Sequence, residues 1–342
     1  MVFVTGATGL LGSHLLYLLA EKGNSIIALH RPQSDLKSVR AIFEQHPEAE
    51  QRWQQISWVE GDVLDTASLT QQIRTSTCVY HCAAVVSFSA DDQQRLRETN
   101  LKGTEHIAAL CLQHQVRLCY VSSIAALGDS LHPKDLIDET TPTIEGRAHS
   151  AYSFSKSDAE KIVWKYIKKG LNAVIVCPSI ILGGGMWNKS SARLYLTAAK
   201  GIPFYTKGVS GYVDVRDVCQ LMITLAEDTT VQGERFILNG GNYSYRELFA
   251  TLAKANGKRP PSYHLSPWMT EVIWRLLSVK GWFSHTKPAF TKETARTAHH
   301  CSYYSNQKIL TRYPNFHFYS LADTATHIRQ MWTTEMKRRK GK

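Results

Sequence analysis

The chain has 342 residues, 43% of them hydrophobic, and a formal net charge of +11 at pH 7. This length allows one large domain and a smaller one, and no stretch approaches the roughly 18 to 20 apolar residues of a membrane-spanning helix. Seven cysteines are scattered without a Cys-x-x-Cys pair, so we expect reduced, buried thiols and no metal site. The first residues already have the pattern of a strand, which leaves no room for a signal peptide, and we therefore expect a cytoplasmic protein.

Five of the positive charges lie in the C-terminal run 337–342, which we expect to be a solvated, frayed end. The remaining excess of positive charge suits an acidic ligand. The chain shows no nucleic-acid-binding motif and no interleaving of aromatic with basic residues. We therefore expect neither nucleic acid nor a membrane surface as a partner.

The first twelve residues predict a strand, a tight turn and a helix. An apolar run at 2–4 is followed by Gly6, Gly9 and Gly12 and then by leucines at helical spacing. Such a turn directs backbone N–H groups and a helix N-terminus at a phosphate. The glycine spacing is three and three rather than the two and three of the common dinucleotide fingerprint. The predicted cofactor contacts of this turn are Thr5, Gly6, Thr8, Gly9, Leu10, Leu11 and Gly12.

Short apolar runs then alternate with amphipathic segments. The alternation predicts an α/β fold, a Rossmann-type doubly wound parallel sheet, and it is regular to about residue 178. Beyond that point glycine- and proline-marked segments predict a smaller, mostly C-terminal substrate-binding region. The predicted strands are 2–4, 25–29, 56–59, 78–81, 117–121, 172–177 and 235–238.

The end of the second predicted strand bears on the choice of cofactor. An acidic residue there binds the adenine ribose 2′-hydroxyl and favours NAD, whereas this chain has His30 and Arg31. A guanidinium offers a planar fork for a 2′-phosphate. The position therefore favours NADP(H) and leaves NAD(H) open.

The third and fourth predicted strands are also followed by candidate nucleotide contacts. We expect Asp65 to cap the next helix, which leaves Asp62 free to bind the adenine, with Val63 beside it. The fourth strand runs into small residues that let the backbone pass close to a ligand, and we expect His81 there to be packed without a chemical role. The small residues in question are Cys82, Ala83 and Ala84.

A catalytic group is predicted from Ser122-Ser123, after the fifth strand, and from Tyr152-x-x-x-Lys156. A tyrosine and a lysine four residues apart share one face of a helix. A nearby ammonium lowers the pKa of a phenol towards neutrality, and a serine hydroxyl holds a substrate oxygen. The Tyr-x-x-x-Lys pattern is weak by itself but strong after a glycine turn and a strand that ends in paired serines.

With these motifs the chain resembles an extended short-chain dehydrogenase/reductase of the NAD-dependent epimerase/dehydratase superfamily. The resemblance covers nearly the whole chain and also includes Asn100-Leu101-Lys102-Gly103-Thr104. It implies that Ser123, five residues before Gly128, positions the carbonyl, that Tyr152 is the general acid/base, and that Lys156 binds the nicotinamide ribose. It further implies a supporting role for Asn100, a substrate contact at Ser87, and nicotinamide contacts from Pro178, Ile180 and Ile181.

The segment 81–88 and Arg31 resemble the dihydroflavonol-reductase and 3β-hydroxysteroid-dehydrogenase-like branch. The resemblance implies an NADP(H)-dependent oxidoreductase that interconverts a small ketone or aldehyde and an alcohol. It also implies a nucleotide-binding domain at 1–178, completed by about 208–240, and a substrate region at 179–207 and 241–342. Many relatives form dimers, and by analogy we leave open whether this protein is a homodimer. Two alternatives remain: an NAD-dependent nucleotide-sugar epimerase or dehydratase, and a non-catalytic NADP-sensing protein.

In the C-terminal third, residues 267–277 place Trp, Val and Leu at helical spacing. The spacing predicts an amphipathic helix. We expect its apolar face to pack on the domain rather than to form a pocket wall or a membrane-facing patch.

Overall fold

The computed structural model describes residues 1–87, 92–130, 132, 134–143, 150–187, 191–284 and 292–340, without the side chains of 279–284, 292, 293 and 340. The strands are β1 (Val2–Thr5), β2 (Ile26–His30), β3 (Ile56–Glu60), β4 (Cys78–His81), β5 (Arg117–Val121), β6 (Leu136–Ile137), β7 (Ala173–Pro178), β8 (Ile180–Leu182), β9 (Phe204–Tyr205), β10 (Val209–Asp214), β11 (Glu234–Leu238), β12 (Gly241–Ser244), β13 (Tyr263–His264) and β14 (Tyr303–Tyr304).

The helices cover the sheet and the C-terminal part of the chain. They are α1 (Leu10–Glu21), α2 (Leu36–Phe43), α3 (Ala49–Gln54), α4 (Thr66–Arg74), α5 (Gln93–Leu96), α6 (Gly103–Gln113), α7 (Ala151–Ile167), α8 (Ala192–Ala199), α9 (Val215–Glu227), α10 (Tyr245–Ala255), α11 (Pro267–Ser284), α12 (Lys292–Thr297), α13 (Gln307–Arg312) and α14 (Leu321–Lys340). A π-helical turn, Arg97–Lys102, precedes α6, and a 3-10 turn, Ile124–Ala126, follows β5.

A seven-stranded parallel sheet with the order β11-β7-β5-β4-β1-β2-β3 forms the centre of the molecule. Each predicted strand coincides with one of these strands to within one or two residues, which confirms the α/β doubly wound fold. The inner strands are apolar throughout because helices cover both faces of a parallel sheet. The helices α1 and α9 pack together on one face, while α6 and α7 pack together on the other.

The strand order reverses between β1 and β4, since β2 and β3 lie on one side of β1 and the remaining strands on the other. In an open α/β sheet, ligands bind in the crevice at the carboxyl ends of the strands beside such a switch point. The residues that follow β1, β4, β5 and β7 therefore converge at this edge. This is where the candidate site lies.

Beyond β7 the chain builds smaller sheets and returns once to the main sheet through β11. One of the smaller sheets has the order β12-β10-β8, and β9 pairs with β13 and β6 with β14. The division into a nucleotide-binding domain at 1–178 and a substrate region remains a prediction.

The C-terminal run is not the frayed end that its composition suggests, because α14 continues to Lys340. Near the end of this helix, Arg338 forms an ion pair with Glu44 at 2.8 Å, and both Arg338 and Arg339 pair with the buried Glu335. One turn earlier, Met331 packs on the glycine segment that follows β8. The expectation of a frayed end is therefore wrong for residues 337–339, although these residues are exposed as expected.

The predicted helix at 267–277 is present as the first part of α11, but its packing differs from the expectation. Trp268, Val272 and Leu276 lie one helical turn apart, and they are 68%, 47% and 65% exposed. Thr270 is instead buried, and its hydroxyl lies 2.9 Å from His299 Nε2. The apolar side chains at these three positions therefore face outward, while the half-buried Ile273 and Trp274 lie on the same side of the helix as Thr270.

Across the described ranges, no helix is long and apolar enough to cross a bilayer. In the same ranges no three His, Cys, Asp or Glu side chains are placed so that they could hold a metal ion.

Candidate active site

The glycine turn is shaped by close backbone contacts. Gly6 has φ of +65°, and a Cβ there would lie 2.5 Å from the amide nitrogen of Ala83. A Cβ on Gly12 would overlap the carbonyl of Gly6. Only glycine fits both positions, so the end of β4, the turn and α1 come together in a way that no larger residue allows.

Helix α1 begins at an exposed glycine. Gly9 occupies the N-cap position without a side-chain cap, and its own N–H donates to the Gly6 carbonyl at 3.0 Å. The N–H groups of Leu10, Leu11 and Gly12 have no intrahelical acceptor because they belong to the first turn. Beside them, the Thr8 hydroxyl lies 3.5 Å from Ser34 Oγ. These N–H groups and the helix dipole fit a pyrophosphate.

Thr5 organises the turn but is not open to a ligand, since its side chain is fully buried. Its hydroxyl lies 2.6 Å from His81 Nδ1 and accepts from the Ala83 N–H, and His81 Nε2 lies 3.1 Å from the Thr104 hydroxyl. Burial lowers the pKa of His81 to about 3, so this ring is neutral. The structure thus makes Thr5 a positioning residue rather than the direct cofactor contact we expected, and His81 a packed one.

A surface depression lies beyond β2 and β3, where the adenosine end of a dinucleotide is expected. Arg31 is exposed there, and His30 turns its Nδ1 towards the Arg31 carbonyl at 3.1 Å. The sequence reasoning missed Glu60, although it is the register partner of His30 on the neighbouring strand. The depression is lined by Arg31, Pro32, Gln33, Glu60, Gly61, Asp62 and Asp65.

The two aspartates after β3 both bond to nearby backbone. Asp65 accepts from the Ala67 N–H at 3.1 Å and caps α4, as expected. Asp62 lines the depression, and its contact with the adenine remains a prediction, although its Oδ1 accepts from the Leu64 N–H at 3.0 Å. This bond is local, because an aspartate readily closes a turn with the amide two residues on.

Val63 and Asn100 connect neighbouring elements. Val63 is buried, and a Cβ on Gly103 would lie 2.7 Å from its Cγ2. Asn100 lies in the π-helical turn, where its amide donates to the Val85 carbonyl and to Ser155 Oγ, each at 3.0 Å, and accepts from the Val85 N–H at 2.7 Å. Asn100 therefore fastens the chain after β4, which includes Ala84, to α7.

Ser123 and Tyr152 come together across the crevice. A hydrogen bond joins their side chains and lowers the pKa of the phenol, but burial outweighs it, so the pKa of Tyr152 stands above its ordinary value. Ser123 Oγ also accepts from the Ala125 N–H at 3.1 Å, which fixes its rotamer at the start of the 3-10 turn. The pair thus presents two hydroxyl groups at one point of the crevice.

Lys156 lies one turn further along α7 and is 3% exposed. Its Nζ donates to the Val121 carbonyl at 2.8 Å and lies 5.2 Å from the centre of the Tyr120 ring. Burial lowers the pKa of Lys156 to about 8. The ammonium is thus turned towards β5, and the expected lowering of the Tyr152 pKa by Lys156 is not what this structure shows.

The other predicted contacts lie around this centre. Cys82 packs beside Gly6, and burial raises the pKa of its thiol to about 12. Ser87 is half-buried, and its hydroxyl donates to Asp92 at 2.6 Å. Pro178 is buried at the end of β7. Ile180 and Ile181 follow in β8 with half-buried side chains, while Phe88 lies outside the described residues.

Comparison with known proteins gives relatives of similar length. The chain is 27% identical over 273 residues to sterol demethylase protein B of Methylococcus capsulatus, and the aligned region covers 79% of both chains. It is 28% identical over 275 residues to a putative dihydroflavonol 4-reductase of Synechocystis, which covers 78% of this chain and 76% of that protein. The solved structure of gox2253 superposes with a TM-score of 0.80 at 26% identity and covers 98% of both chains.

The family model described as "NAD dependent epimerase/dehydratase family" matches residues 2–239, well over half of the chain. The match extends from β1 through β11 and so covers the main sheet and every residue of the candidate site. The glycine turn and the exposed helix start fit the dinucleotide that this family name implies. The chain therefore belongs to the NAD-dependent epimerase/dehydratase family and is an NAD(P)-dependent oxidoreductase of the extended short-chain dehydrogenase/reductase type.

Proposed function

We propose that the protein is an NADP(H)-dependent reductase that interconverts a ketone or aldehyde and an alcohol. The observation that carries this proposal is the meeting of Ser123 and Tyr152 at the carboxyl edge of the sheet, with Lys156 one turn further along α7. NADPH, when bound, supplies the hydride. The protein's own residues orient the carbonyl and deliver the proton.

The proposed roles follow from the site's hydrogen bonds and burial. Ser123 and Tyr152 donate hydrogen bonds to the substrate oxygen, and Tyr152 transfers its proton to that oxygen as the alcohol forms. Burial holds the pKa of Tyr152 above its ordinary value, so the phenol is protonated near neutral pH and has a proton to give. Lys156, positively charged below pH about 8, binds the ribose next to the nicotinamide.

Two observations bear on the nucleotide. Arg31 is exposed at the end of β2, where its guanidinium is free to reach a 2′-phosphate, and this favours NADP(H). Glu60 lines the same depression, and a carboxylate there favours the 2′-hydroxyl of NAD(H). We give more weight to Arg31 because it occupies the position that selects the nucleotide in this fold.

The substrate class and the alternatives rest on the relatives. A relative named as a dihydroflavonol 4-reductase supports a carbonyl reductase of apolar or mixed-polarity substrates. The second candidate is an epimerase or dehydratase that keeps NAD bound, and Glu60 together with the family name favours it. Intact Ser123, Tyr152 and Lys156 argue against a non-catalytic NADP sensor.

The first experiment denatures purified protein, identifies any released nucleotide, and titrates fresh protein with NADPH and NADH. We expect an empty protein that binds NADPH more tightly. Stoichiometric release of NAD⁺ would overturn the proposal and favour the epimerase or dehydratase.

Tyr152→Phe tests the proton transfer in a screen of carbonyl substrates with NADPH. We expect turnover to fall by about 10²- to 10⁴-fold, as for loss of a general acid, with NADPH affinity nearly unchanged. Tyr166→Phe, on the same helix but away from the site, is the matched control. Retained activity in Tyr152→Phe would rule out the assigned role.

A further inference from the structure

Three consecutive residues at the end of β5 bond to three successive turns of α7. The Val121 carbonyl accepts from Lys156 Nζ at 2.8 Å, and Ser123 bonds to Tyr152. Between these two residues, Ser122 Oγ donates to Glu160 Oε2 at 2.5 Å. The positions 152, 156 and 160 are four apart and so share one helix face. The proposed reaction uses the contacts of Tyr152 and Lys156 and gives no role to the contact of Glu160.

Glu160 is buried, with 3% of the residue exposed, and both of its carboxylate oxygens are bonded. Oε1 accepts from Arg235 Nη1 at 2.7 Å and from Trp164 Nε1 at 3.2 Å. Oε2 accepts from Ser122, and Cys177 Sγ lies 3.6 Å away. A buried charge is tolerated when it is paired and hydrogen-bonded in this way, and removing one partner of the pair leaves the other charge uncompensated.

Arg235 is itself fixed from two sides. It belongs to β11, next to β7 in the sheet, and its guanidinium also donates to the Glu139 carbonyl. The Glu139 side chain in turn accepts from the Ile237 N–H of β11 at 2.8 Å. The carboxylate of Glu160 is therefore held between α7 and the sheet by groups that lie outside the proposed reaction.

We propose that Glu160 is a positioning residue of this active site. Through Ser122 it fixes the strand end that bears Val121 and Ser123, and through its negative charge it keeps Lys156 in the ammonium form. The proposal rests on the proposed function, because it assigns Lys156 to nucleotide binding. Arg235 and Trp164 keep the carboxylate in place. Glu160 touches neither substrate nor nucleotide.

The groups that face Lys156 come from four elements. They are His81 in β4 and Cys82 after it, Tyr120 in β5, Cys177 in β7, and Glu160 on α7 itself. Burial raises the thiol pKa values and lowers that of His81, so these three groups are neutral near pH 7. Arg235 lies behind Glu160 and is paired with it. Of the groups named, Glu160 is the carboxylate that supports the Lys156 charge.

The test follows NADPH binding by fluorescence from pH 6 to pH 10 in the wild type, Glu160→Gln, Ser122→Ala and Asp158→Asn. Asp158 is a half-exposed carboxylate on the same helix, paired with Lys161, and provides the matched control. We expect wild-type affinity to fall as the pH rises through about 8, because Lys156 loses its proton. In Glu160→Gln this fall should occur about one pH unit lower, the order of shift that a nearby opposite charge produces, and in Asp158→Asn it should not move. Ser122→Ala should weaken binding severalfold below pH 8.

An unchanged midpoint in Glu160→Gln would overturn the proposal, since a purely structural contact does not shift a titration. Where Glu160→Gln fails to fold because Arg235 is left unpaired, the double variant Glu160→Gln/Arg235→Gln replaces it as a neutral pair. The same shift of the midpoint is expected for that variant.

A second measurement separates this proposal from the proposed function. It follows chemical unfolding at pH 7 of the wild type, Glu160→Gln, Lys156→Met and Glu160→Gln/Lys156→Met. These four proteins form a double-mutant cycle that needs no nucleotide. We expect the two substitutions to be coupled by at least fivefold in the unfolding equilibrium constant, and additive effects would overturn the positioning role. A wild type that binds no NADPH at any pH would overturn the proposed function, and the cycle alone would then decide the role of Glu160.

Discussion

Lys156 holds an ammonium group in a place where burial works against the charge. Its Nζ has a carbonyl, an aromatic ring and buried thiols as neighbours, with Glu160 one turn away. Burial brings its pKa down to about 8, whereas the same group in the unfolded chain titrates near its ordinary value. The native state therefore binds fewer protons than the unfolded state at pH values between the two, and stability rises with pH in that interval.

We predict that Lys156→Met removes this pH dependence. Relative to the variant, the wild type should gain on the order of 3 kcal/mol in free energy of unfolding between pH 7 and pH 10.5, since each pKa unit is worth about 1.4 kcal/mol. Urea unfolding of both proteins at several pH values measures the difference, and the comparison cancels the tyrosines and cysteines that titrate in the same range. A difference that stays constant with pH would contradict the prediction.

At the scale of elements, α14 and α2 enclose the glycine segment after β8. A Cβ on Gly185, which has φ of +105°, would lie 2.5 Å from the Ile42 side chain of α2, and one on Gly184 would lie 2.8 Å from Met331 Sδ of α14. His14 of α1 adds a contact at 2.9 Å from its Nε2 to the Gly184 carbonyl. The C-terminal helix is therefore anchored on the elements of the main sheet.

We predict that Met331→Ala destabilises the protein by about 2–4 kcal/mol, the usual range for a buried methionine replaced by alanine. Met331 is 2% exposed and fills the space over two glycines that have no side chains to relax into a cavity. Thr334→Ala, on the exposed face of α14, should change stability by less than about 0.5 kcal/mol. Thermal or urea unfolding distinguishes them, and equal effects would show that α14 does not pack as described.

The observed elements also show how much of the fold could be predicted from the sequence. Strands buried on both faces appear as continuous apolar runs, and a glycine turn has few structural interpretations, so the sheet was predictable to within one or two residues. The packing of α11 and the ordered helix at residues 337–339 could not be predicted, because helical spacing and charge do not show which elements a helix face will contact. Glu60 was missed because its place beside His30 depends on the register between β2 and β3.

At the scale of the whole molecule, the candidate nucleotide site draws on distant parts of the chain. The turn after β1, the depression beyond β2 and β3, and α7 each contribute side chains or N–H groups. A ligand that binds only the folded chain stabilises it as a whole, by about 2.7 kcal/mol at a hundred times its dissociation constant.

We predict that NADPH raises the melting temperature by several degrees and that NADH at equal concentration raises it less. Arg31→Ala should reduce the NADPH shift and leave the NADH shift unchanged, because the 2′-phosphate loses its partner. Arg74→Ala, at the far end of α4, controls for the loss of a surface charge. A larger shift with NADH in the wild type would favour Glu60 as the residue that selects the nucleotide.

Strand β11 pairs with β7 in the main sheet but lies much later in the sequence, and this has a consequence during synthesis. Strand β7 is buried along its whole length, and its outer backbone groups pair with residues 234–238, which are translated more than fifty residues later. A nascent or truncated chain that ends near residue 178 therefore presents an apolar, unpaired strand, the kind of edge that recruits other chains. The first 178 residues are thus a poor unit to express alone, and folding of this sheet must wait for a segment from beyond the first glycine-rich excursion.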